Sequence, residues 1–504
     1  MAIKPITINA PRQGVSQSAH VGFSDIRNMD IDSEPGVIKL NTIMDKKSAS
    51  TVTGQINWFV RNPNAPTEAY ALDDGGKVYK ITLNADGTFS SIALMTGFTS
   101  GGHGNGLAIF KNYLIVARDA FLDVCGDGSA TGIVNANWTN SWQAIDSDLL
   151  WHPMLISTND NKLYGGAGKY VYSLDENTGE TFDPGTLATY DWSEQALDLP
   201  SPQRIKCIEE LGNNLMLGTW QGTTLATENR VGNIYPWDRS SVSFGQPIIS
   251  SDFGVHAMKN VGNLLVVLTG VSGIISRCDG ANLYAIGKIP TDLSGGKYLE
   301  WYPGAIVQYK DKIFFGVGNG GTTAIPNQGV YSLLQTGQGN ILNLEHEVST
   351  LNDGTLKPLK VSALLPITRD TLLTGWRDDD EYGIDLSSAT SYSYGTDYSG
   401  SFTSPLYTTG SALNEHKFTS LEFQLSKPLR TGEGIKFEYR NNLTDDFTEI
   451  VTYAFADVDV GAVVSKSCVT ELPTEIKVSE QIQMRVSLLG TTTTTPNLKN
   501  VTIK

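Results

Sequence analysis

Residues 155–179 read LISTNDNKLYGGAGKYVYSLDENTG and contain the pattern that organises the chain. The segment NKLYG at 161–165 predicts the end of one strand, and Ala167-Gly168 predicts a tight turn after it. In the strand that follows, Tyr170, Tyr172 and Leu174 alternate with Val171 and Ser173. A period of two between turns that contain glycine is typical of a β-hairpin, so this stretch predicts one.

The core strand of this hairpin recurs along the chain. Its copies begin at residues 113, 161, 214, 263, 312 and 371, in steps of 48, 53, 49, 49 and 59 residues. An earlier copy has strands at 56–60, 69–72 and 77–81. A module of four short strands that repeats about every fifty residues is typical of a β-propeller. We therefore predict an all-β chain with a propeller of about seven blades, six and eight being the alternatives.

The repeat ends near Pro405. Beyond it, apolar residues alternate with polar ones around Leu421, Ile435 and Ile482, which predicts a small C-terminal β-sandwich. The predicted domains are residues 1–50 as an N-terminal arm with ring-closing strands, 51–405 as the propeller and 406–504 as the sandwich.

A propeller ring needs a strand that closes it, because an open ring leaves unpaired edges and uncovered apolar faces. Residues 26–40 predict two short strands around a Pro35-Gly36 turn. We expect this pair to complete the last blade, around residues 361–405.

The composition limits the classes of function. The chain has 37 basic and 53 acidic residues, a net charge of −16, so it repels a phosphate backbone. Its four cysteines are far apart in the sequence, which favours free buried thiols over metal binding or disulfides. The N-terminus lacks the apolar core of a signal peptide. We therefore expect synthesis in the cytoplasm and no insertion into a membrane.

Candidate catalytic groups are few. The six histidines form no H-E-x-x-H motif, and G-x-S-x-G is absent. His152 and His256 both precede a blade core, so both are candidates to face a central channel, although a lone histidine is more often structural. We predict no enzyme activity, no catalytic residue and no cofactor.

Acidic turns are the candidate metal ligands. They include Asp86, Asp123 with Asp127, the run 378–381, and Asp445 with Asp446. None has the alternating oxygen spacing of a calcium-binding loop, so we interpret them as solvated turns and predict no metal site.

Tryptophans on loops near the predicted blade edges, which we expect to be exposed, are the one binding feature. Such residues either stack on sugars, anchor a subunit interface or pack between blades. The residues concerned are Trp138, Trp142, Trp151, Trp220, Trp237, Trp301 and Trp376.

Two terminal segments resemble a known family. Residues 23–40 follow the pattern D-x-x-N-M-D-I-x-x-x-P-G-V-I-K-L, and this opening resembles the start of propeller-bearing virion proteins of tailed bacteriophages. The segments FTSPLY at 402–407 and TPNLKNV at 495–501 resemble the closing domain of the same proteins. The nearest members are tail nozzle or tail-tube proteins of short-tailed phages.

The resemblance implies a structural component of the phage tail, either part of the DNA-exit conduit or a platform for a fibre or tip. It implies a homo-oligomeric ring, with a hexamer favoured, bound to adaptor, portal or other tail proteins and fibres. Genomic DNA would pass without specific binding, and the location would be the virion. The alternatives are a glycan- or receptor-binding propeller such as an adhesin, and a propeller glycosidase.

Overall fold

The structure is a computed structural model. It describes residues 6–9, 25–31, 33–34, 37–47, 51–95, 102–147, 151–221, 231–289, 291, 293, 297–325, 328–336, 339–348, 357–379, 381–387, 391–392, 400–408, 416–454, 467–478 and 481–504. The predicted Pro35-Gly36 turn and most of the predicted arm lie outside these residues.

The chain divides into two compact units. The propeller unit comprises Asp45–Gly329 and Val348–Leu386. The sandwich unit comprises Met1–Met44, Val330–Glu347 and Ser387–Lys504. These units distribute the chain differently from the domain boundaries expected at residues 50 and 405, because both termini enter the sandwich unit.

The strands follow one another without an α-helix among the described residues. The first five are β1 (Ile6–Asn9), β2 (Asp25–Arg27), β3 (Met29–Asp30), β4 (Lys39–Leu40) and β5 (Met44–Lys46). Blade 1 is β6 (Ile56–Arg61), β7 (Glu68–Asp73), β8 (Val78–Leu83) and β9 (Phe89–Leu94). Blade 2 is β10 (Gly104–Phe110), β11 (Tyr113–Arg118), β12 (Phe121–Cys125) and β13 (Trp138–Ala144). Blade 3 is β14 (Met154–Ile156), β15 (Leu163–Ala167), β16 (Tyr170–Glu176) and β17 (Tyr190–Asp198), with a 3-10 turn at Leu187–Thr189.

Blade 4 is β18 (Gln203–Leu211), β19 (Asn214–Gln221), β20 (Val231–Trp237) and β21 (Ile248–Phe253). Blade 5 is β22 (Val255–Val261), β23 (Leu264–Thr269), β24 (Ile274–Cys278) and β25 (Leu283–Lys288). In the propeller unit, blade 6 has a short strand β26 (Leu299–Glu300), followed by β27 (Ile306–Tyr309) and β28 (Lys312–Asn319) as its first and second strands, and β26 pairs with the end of β28. Strands β29 (Gly329–Thr336) and β30 (Gly339–His346) follow, and blade 7 is β31 (Lys360–Pro366), β32 (Leu372–Arg377) and β33 (Tyr382–Ser387).

The remaining strands belong to the sandwich unit. They are β34 (Gly400–Thr403), β35 (Tyr407–Thr408), β36 (His416–Leu425), β37 (Gly434–Arg440), β38 (Thr448–Ala454), β39 (Ser467–Val478), β40 (Gln481–Leu489) and β41 (Leu498–Ile503). No helix in the described part of the chain has the length and apolar character that crossing a membrane requires.

The predicted propeller is confirmed, and it has seven blades. The first strands of successive blades contact one another in turn, and β31 of blade 7 contacts β6 of blade 1, so the ring closes. Each predicted core from residue 113 onward forms the second strand of its blade, and the hairpin at 155–179 is the β15–β16 pair of blade 3.

Apolar packing between blades explains the period-two pattern. Tyr172 and Leu174 lie in a buried cluster with side chains of blade 2, whereas Val171 lies in another cluster with side chains of blade 4. Similar shared clusters join blades 7 and 1, blades 1 and 2, and blades 4 and 5. A blade with two apolar faces gains its stability from both neighbours, which is why such a module is found in a ring.

The ring-closing strand is not the one expected. Strand β5 pairs with β33 and completes blade 7, and the Lys47 amide donates to the Ile384 carbonyl at 2.9 Å. The expected pair instead contributes Ile26, Met29 and Leu40 to the core of the sandwich unit. Of the N-terminal strands, β5 is the last one before blade 1 in the chain.

Replacing Lys47 with proline is expected to weaken ring closure. Proline removes the amide that bonds to the buried Ile384 carbonyl, at a cost of about 1 to 2 kcal/mol in free energy of unfolding. Chemical denaturation measures this cost. Lys47→Ala is the matched control, because it removes the same side chain and keeps the amide. Equal stability of the two variants would contradict this role of β5.

The core of the sandwich unit lies between two large sheets, and β3 and β4 form a separate two-stranded sheet. One sheet has the order β1-β41-β36-β39. The other has the order β29-β30-β2-β34-β40-β37-β38, and β35 also pairs with β40. Phe423, Phe437 and Val486 are buried between them. The predicted β-sandwich is thus present.

Candidate functional site

The axis of the ring is the first place to look for a site, because the first strands of the blades surround it. In five blades the pairing of the first and second strands shifts by one residue, which marks a bulge. In blades 3 and 6, the carbonyl oxygens of Pro153 and Ala305 accept hydrogen bonds from the amides of Gly166 and Gly316. The residues just before them in the chain, His152 and Gly304, therefore occupy the position that the bulge residue has in the other five blades. The seven bulge positions are Asn57, Asn105, His152, Lys206, His256, Gly304 and Ser362.

These bulge residues fill the axis with polar groups. All six that carry a side chain are buried. Ser362 donates to the Ile56 carbonyl at 2.5 Å, and the Asn57 amide donates to the Gly104 carbonyl at 3.4 Å. A side chain at Gly304 would collide with the Asn57 carbonyl, so a glycine is needed there for close packing. The axis is therefore occupied by the protein's own atoms at this level.

Lys206 is the most unusual member of this group. It lies on β18, and its ammonium group donates to the Trp301 carbonyl at 3.0 Å and to Nδ1 of His256 at 3.1 Å. The ring centroids of Trp151 and Trp220 are 5.0 and 5.4 Å from the same nitrogen. Aromatic faces attract a cation, and they partly replace the water that burial removes. Burial nevertheless lowers the pKa of Lys206 to about 8.

Its partner His256 is held in one neutral form. Nδ1 faces the Lys206 ammonium and must accept, so the proton is assigned to Nε2, which donates to the Phe253 carbonyl at 2.7 Å. Burial, and then the charge of Lys206, hold the pKa of His256 well below its usual value. With both nitrogens occupied by protein groups, this imidazole is positioned as part of the structure.

His152 is also held by the backbone. Its Nδ1 lies 3.0 Å from the Gly166 carbonyl oxygen, and its Nε2 lies 2.8 Å from the Asp119 carbonyl oxygen. The side chain is fully buried. Both histidines predicted for the channel thus lie along the axis, and both link neighbouring segments of the ring.

The tryptophans are mostly interior, contrary to their expected place on exposed loops. Five are buried, namely Trp151, Trp220, Trp237, Trp301 and Trp376, while Trp138 and Trp142 are half-buried. The Trp376 indole donates to Asp385 at 2.7 Å, and the Trp142 indole donates to the Pro184 carbonyl at 2.9 Å. Packing within and between blades is therefore the role that the structure gives them.

The acidic turns are hydrogen-bonded within the protein. Asp123 accepts two bonds from the Arg118 guanidinium, at 2.7 and 2.9 Å, and one from the Ser141 amide. Asp86 and Asp127 each accept from an amide two residues later. Asp378 accepts the Glu381 amide, and Asp445 accepts from Asn442; Asp380 lies outside the described residues. Across the described ranges, no group of three histidine, cysteine or acidic side chains is arranged to hold a metal.

The four cysteines are free thiols. Burial raises the pKa of Cys125 to about 12 and also raises the pKa values of Cys207 and Cys278. A thiol with a raised pKa is a poor nucleophile at neutral pH, so these three groups serve as small core side chains.

Lys206 is not among the functional residues predicted from the sequence. A signal was available, because Lys206 is the one charged residue in the apolar stretch Ile205-Lys206-Cys207-Ile208 of a predicted inner strand. The cage around it was not predictable, since Trp151, Trp220 and Trp301 come from three blades.

No family model matches the chain, and no curated protein matches it. Several solved structures are similar in fold. The RRP9 WD40 repeats align with a TM-score of 0.46 at 10% identity, over 69% of this chain and 98% of theirs. The computationally designed Ika8 protein aligns with a TM-score of 0.40 at 12% identity, over 75% and 98%. The β-propeller domain of Myceliophteria thermophila Cps50 (Swd1) aligns with a TM-score of 0.41 at 11% identity, over 68% and 99%. The blade count rests on the strand pairing of this chain and not on these likenesses.

Proposed function

We propose that this protein is a structural component of the tail of a bacteriophage virion, in which it forms part of a homo-oligomeric ring. It acts by shape and rigid packing and performs no reaction. A place at the nozzle, beside the adaptor and portal, or at the base of a fibre or tip would suit such a subunit.

The observation that carries this proposal is that the N-terminal and C-terminal segments that resemble phage tail proteins are paired with each other in one unit. Ile26 of β2 pairs with Phe402 of β34. Ile38 and Leu498 exchange two backbone hydrogen bonds, at 2.7 and 2.9 Å. The Leu40 amide also bonds to the Thr495 hydroxyl at 2.9 Å. Segments hundreds of residues apart thus build one sandwich unit, which supports a resemblance to a whole folded module.

Two further features support a structural role. The side chains of the bulge residues fill part of the ring axis, and their polar groups form hydrogen bonds mostly to backbone atoms of the ring. The net charge of −16 would let a DNA duplex pass without adhesion, because carboxylates repel phosphates.

Native mass spectrometry and negative-stain microscopy of the full chain test this proposal. We expect a closed ring of identical subunits, with six favoured, and no binding of duplex DNA at moderate salt. Antibodies against the chain should label the tail in particles from a host that carries the gene. A strict monomer across the accessible concentration range, or label on the capsid alone, would contradict it.

The alternative of a glycan-binding propeller predicts a monomer that binds defined sugars. Its sequence argument rested on exposed tryptophans, and five of the seven are buried. The same purified chain on a glycan array distinguishes the two functions, because saturable binding by a monomer would favour the alternative.

A further inference from the structure

Three neighbouring blades carry long loops on one face of the ring. Residues 126–137, 177–189 and 238–247 join the third and fourth strands of blades 2, 3 and 4, whereas the equivalent connections of blades 1 and 5 are short. In antiparallel blades these connections all emerge on the same side of the ring. We call this surface the loop face.

Each long loop exposes one large apolar side chain. Val134, Leu187 and Val242 have exposed fractions of 43%, 77% and 97%. Single exposed apolar residues are common on protein surfaces. Three of them in the equivalent connections of consecutive blades are a repeated feature, and exposed apolar residues that recur on one face of a protein mark interaction sites.

The loops that carry these side chains are anchored. Phe182, in the blade 3 loop, is buried among four aromatic rings of blades 2 and 3. The Asn112 side chain donates to the Gly128 carbonyl at 2.9 Å, and Arg239 donates to the Asn213 carbonyl at 2.7 Å. The exposed tips are thus held in a fixed arrangement, which lowers the entropy cost of binding.

The surroundings of the tips are acidic. Asp127, Asp183 and Asp238 lie in the three loops, and each accepts an amide of its own turn. Basic side chains nearby already have carboxylate partners, since Lys111 bonds to Glu176 and Arg239 to Glu210, both at 2.8 Å. Asp183 and Asp127 flank one phenol: after burial, their charges are the causes that raise the pKa of Tyr113.

We propose that the loop face is a docking site for a partner protein that presents an apolar segment flanked by lysine or arginine side chains. The apolar part covers Val134, Leu187 and Val242, and the basic flanks meet the loop carboxylates. A second copy of the chain is a poor occupant through this face, because it would bring the same carboxylates and a net charge of −16. The inference does not depend on the proposed place in a phage tail.

Fluorescence anisotropy with a labelled peptide of leucines and lysines tests the site on the full chain. A leucine–glutamate peptide and a serine–lysine peptide are the probes that lack one of the two features. We expect the leucine–lysine peptide to bind best, with an affinity that falls as salt rises. Leu187→Ser with Val242→Ser should weaken it about tenfold or more. Asp183→Asn with Asp238→Asn should weaken it and reduce the salt dependence, and asparagine keeps the acceptor for each turn.

Matched changes in the sandwich unit are the controls. Leu443 and Val469 are exposed by 59% and 60%, so Leu443→Ser with Val469→Ser removes comparable apolar surface. Asp445→Asn with Asp446→Asn removes the same charge. Both controls should bind the peptide as the wild type does. Undetectable binding, equal binding of all three peptides, or loop variants that bind like the controls would overturn the proposal. The variant with Leu187→Ser and Val242→Ser should keep the oligomeric state of the wild type in native mass spectrometry. A different oligomeric state would also overturn the proposal, because the loop face would then bind another copy of this chain.

Discussion

Replacing Phe182 with alanine is expected to lower the free energy of unfolding of the propeller unit by about 3 to 5 kcal/mol. The Phe182 ring is buried, and its centroid lies 5.4 Å from Phe110, 5.1 Å from Tyr113, 5.9 Å from Trp142 and 5.7 Å from Tyr190. Alanine would leave a cavity where the loop of blade 3 closes over blade 2. Four edge-to-face contacts are lost together with the buried area, which places the effect among the largest for a single residue.

Urea denaturation followed by tryptophan fluorescence measures this loss, because Trp142 lies in the same cluster. Leu187→Ala is the control in the same loop, and it should change the stability by less than about 0.5 kcal/mol because Leu187 is exposed. Phe182→Leu should fall between the two. A Phe182→Ala protein as stable as the control would show that the loop does not seal the contact between blades 2 and 3.

Lys206 should make stability rise with pH in the alkaline range. Its pKa is about 8 in the folded protein and 10.5 as the ordinary value. Between these values the unfolded chain binds more protons than the folded chain, so the free energy of unfolding increases as pH rises. The shift corresponds to about 3 kcal/mol between about pH 7 and pH 11.

The comparison with Lys206→Met isolates this contribution. Buried tyrosines and cysteines have the opposite effect, because their ordinary pKa values lie in this range and burial raises them in the folded protein, but they are present in both proteins. The stability of the wild type minus that of Lys206→Met should therefore rise with pH. Lys288→Met is the control for loss of an exposed lysine and should stay parallel to the wild type. If the stability of Lys206→Met changed with pH in the same way as that of the wild type, burial would not destabilise the Lys206 ammonium.

The two predictions concern different parts of the same ring. Phe182 acts through apolar area between blades, which adds to stability at every pH. Lys206 acts through a charge held by two indole faces, a carbonyl and an imidazole, so its contribution depends on pH. A polar group at the axis fixes the relative positions of blades 4, 5 and 6, because its partners come from His256 and Trp301.

The sequence determined the blades, because each blade is local. A hairpin such as β15–β16 needs only alternation and a turn that tolerates left-handed backbone, and Gly168 has a φ of +56° there. The period of about fifty residues then implies a ring, since two apolar faces on one module require two neighbours. The seven-bladed propeller and the sandwich were predictable for these reasons.

Only the tertiary structure decided which segments meet. Residues 26–40 and β5 both form short strands of mixed polar and apolar residues near the N-terminus, and nothing local distinguishes a closing strand from a sandwich strand. The cage of Lys206, the burial of the tryptophans and the loop face likewise depend on side chains from different blades. Local pattern specifies which face of a strand is apolar, but the partner of that face is set by free energy summed over the whole fold.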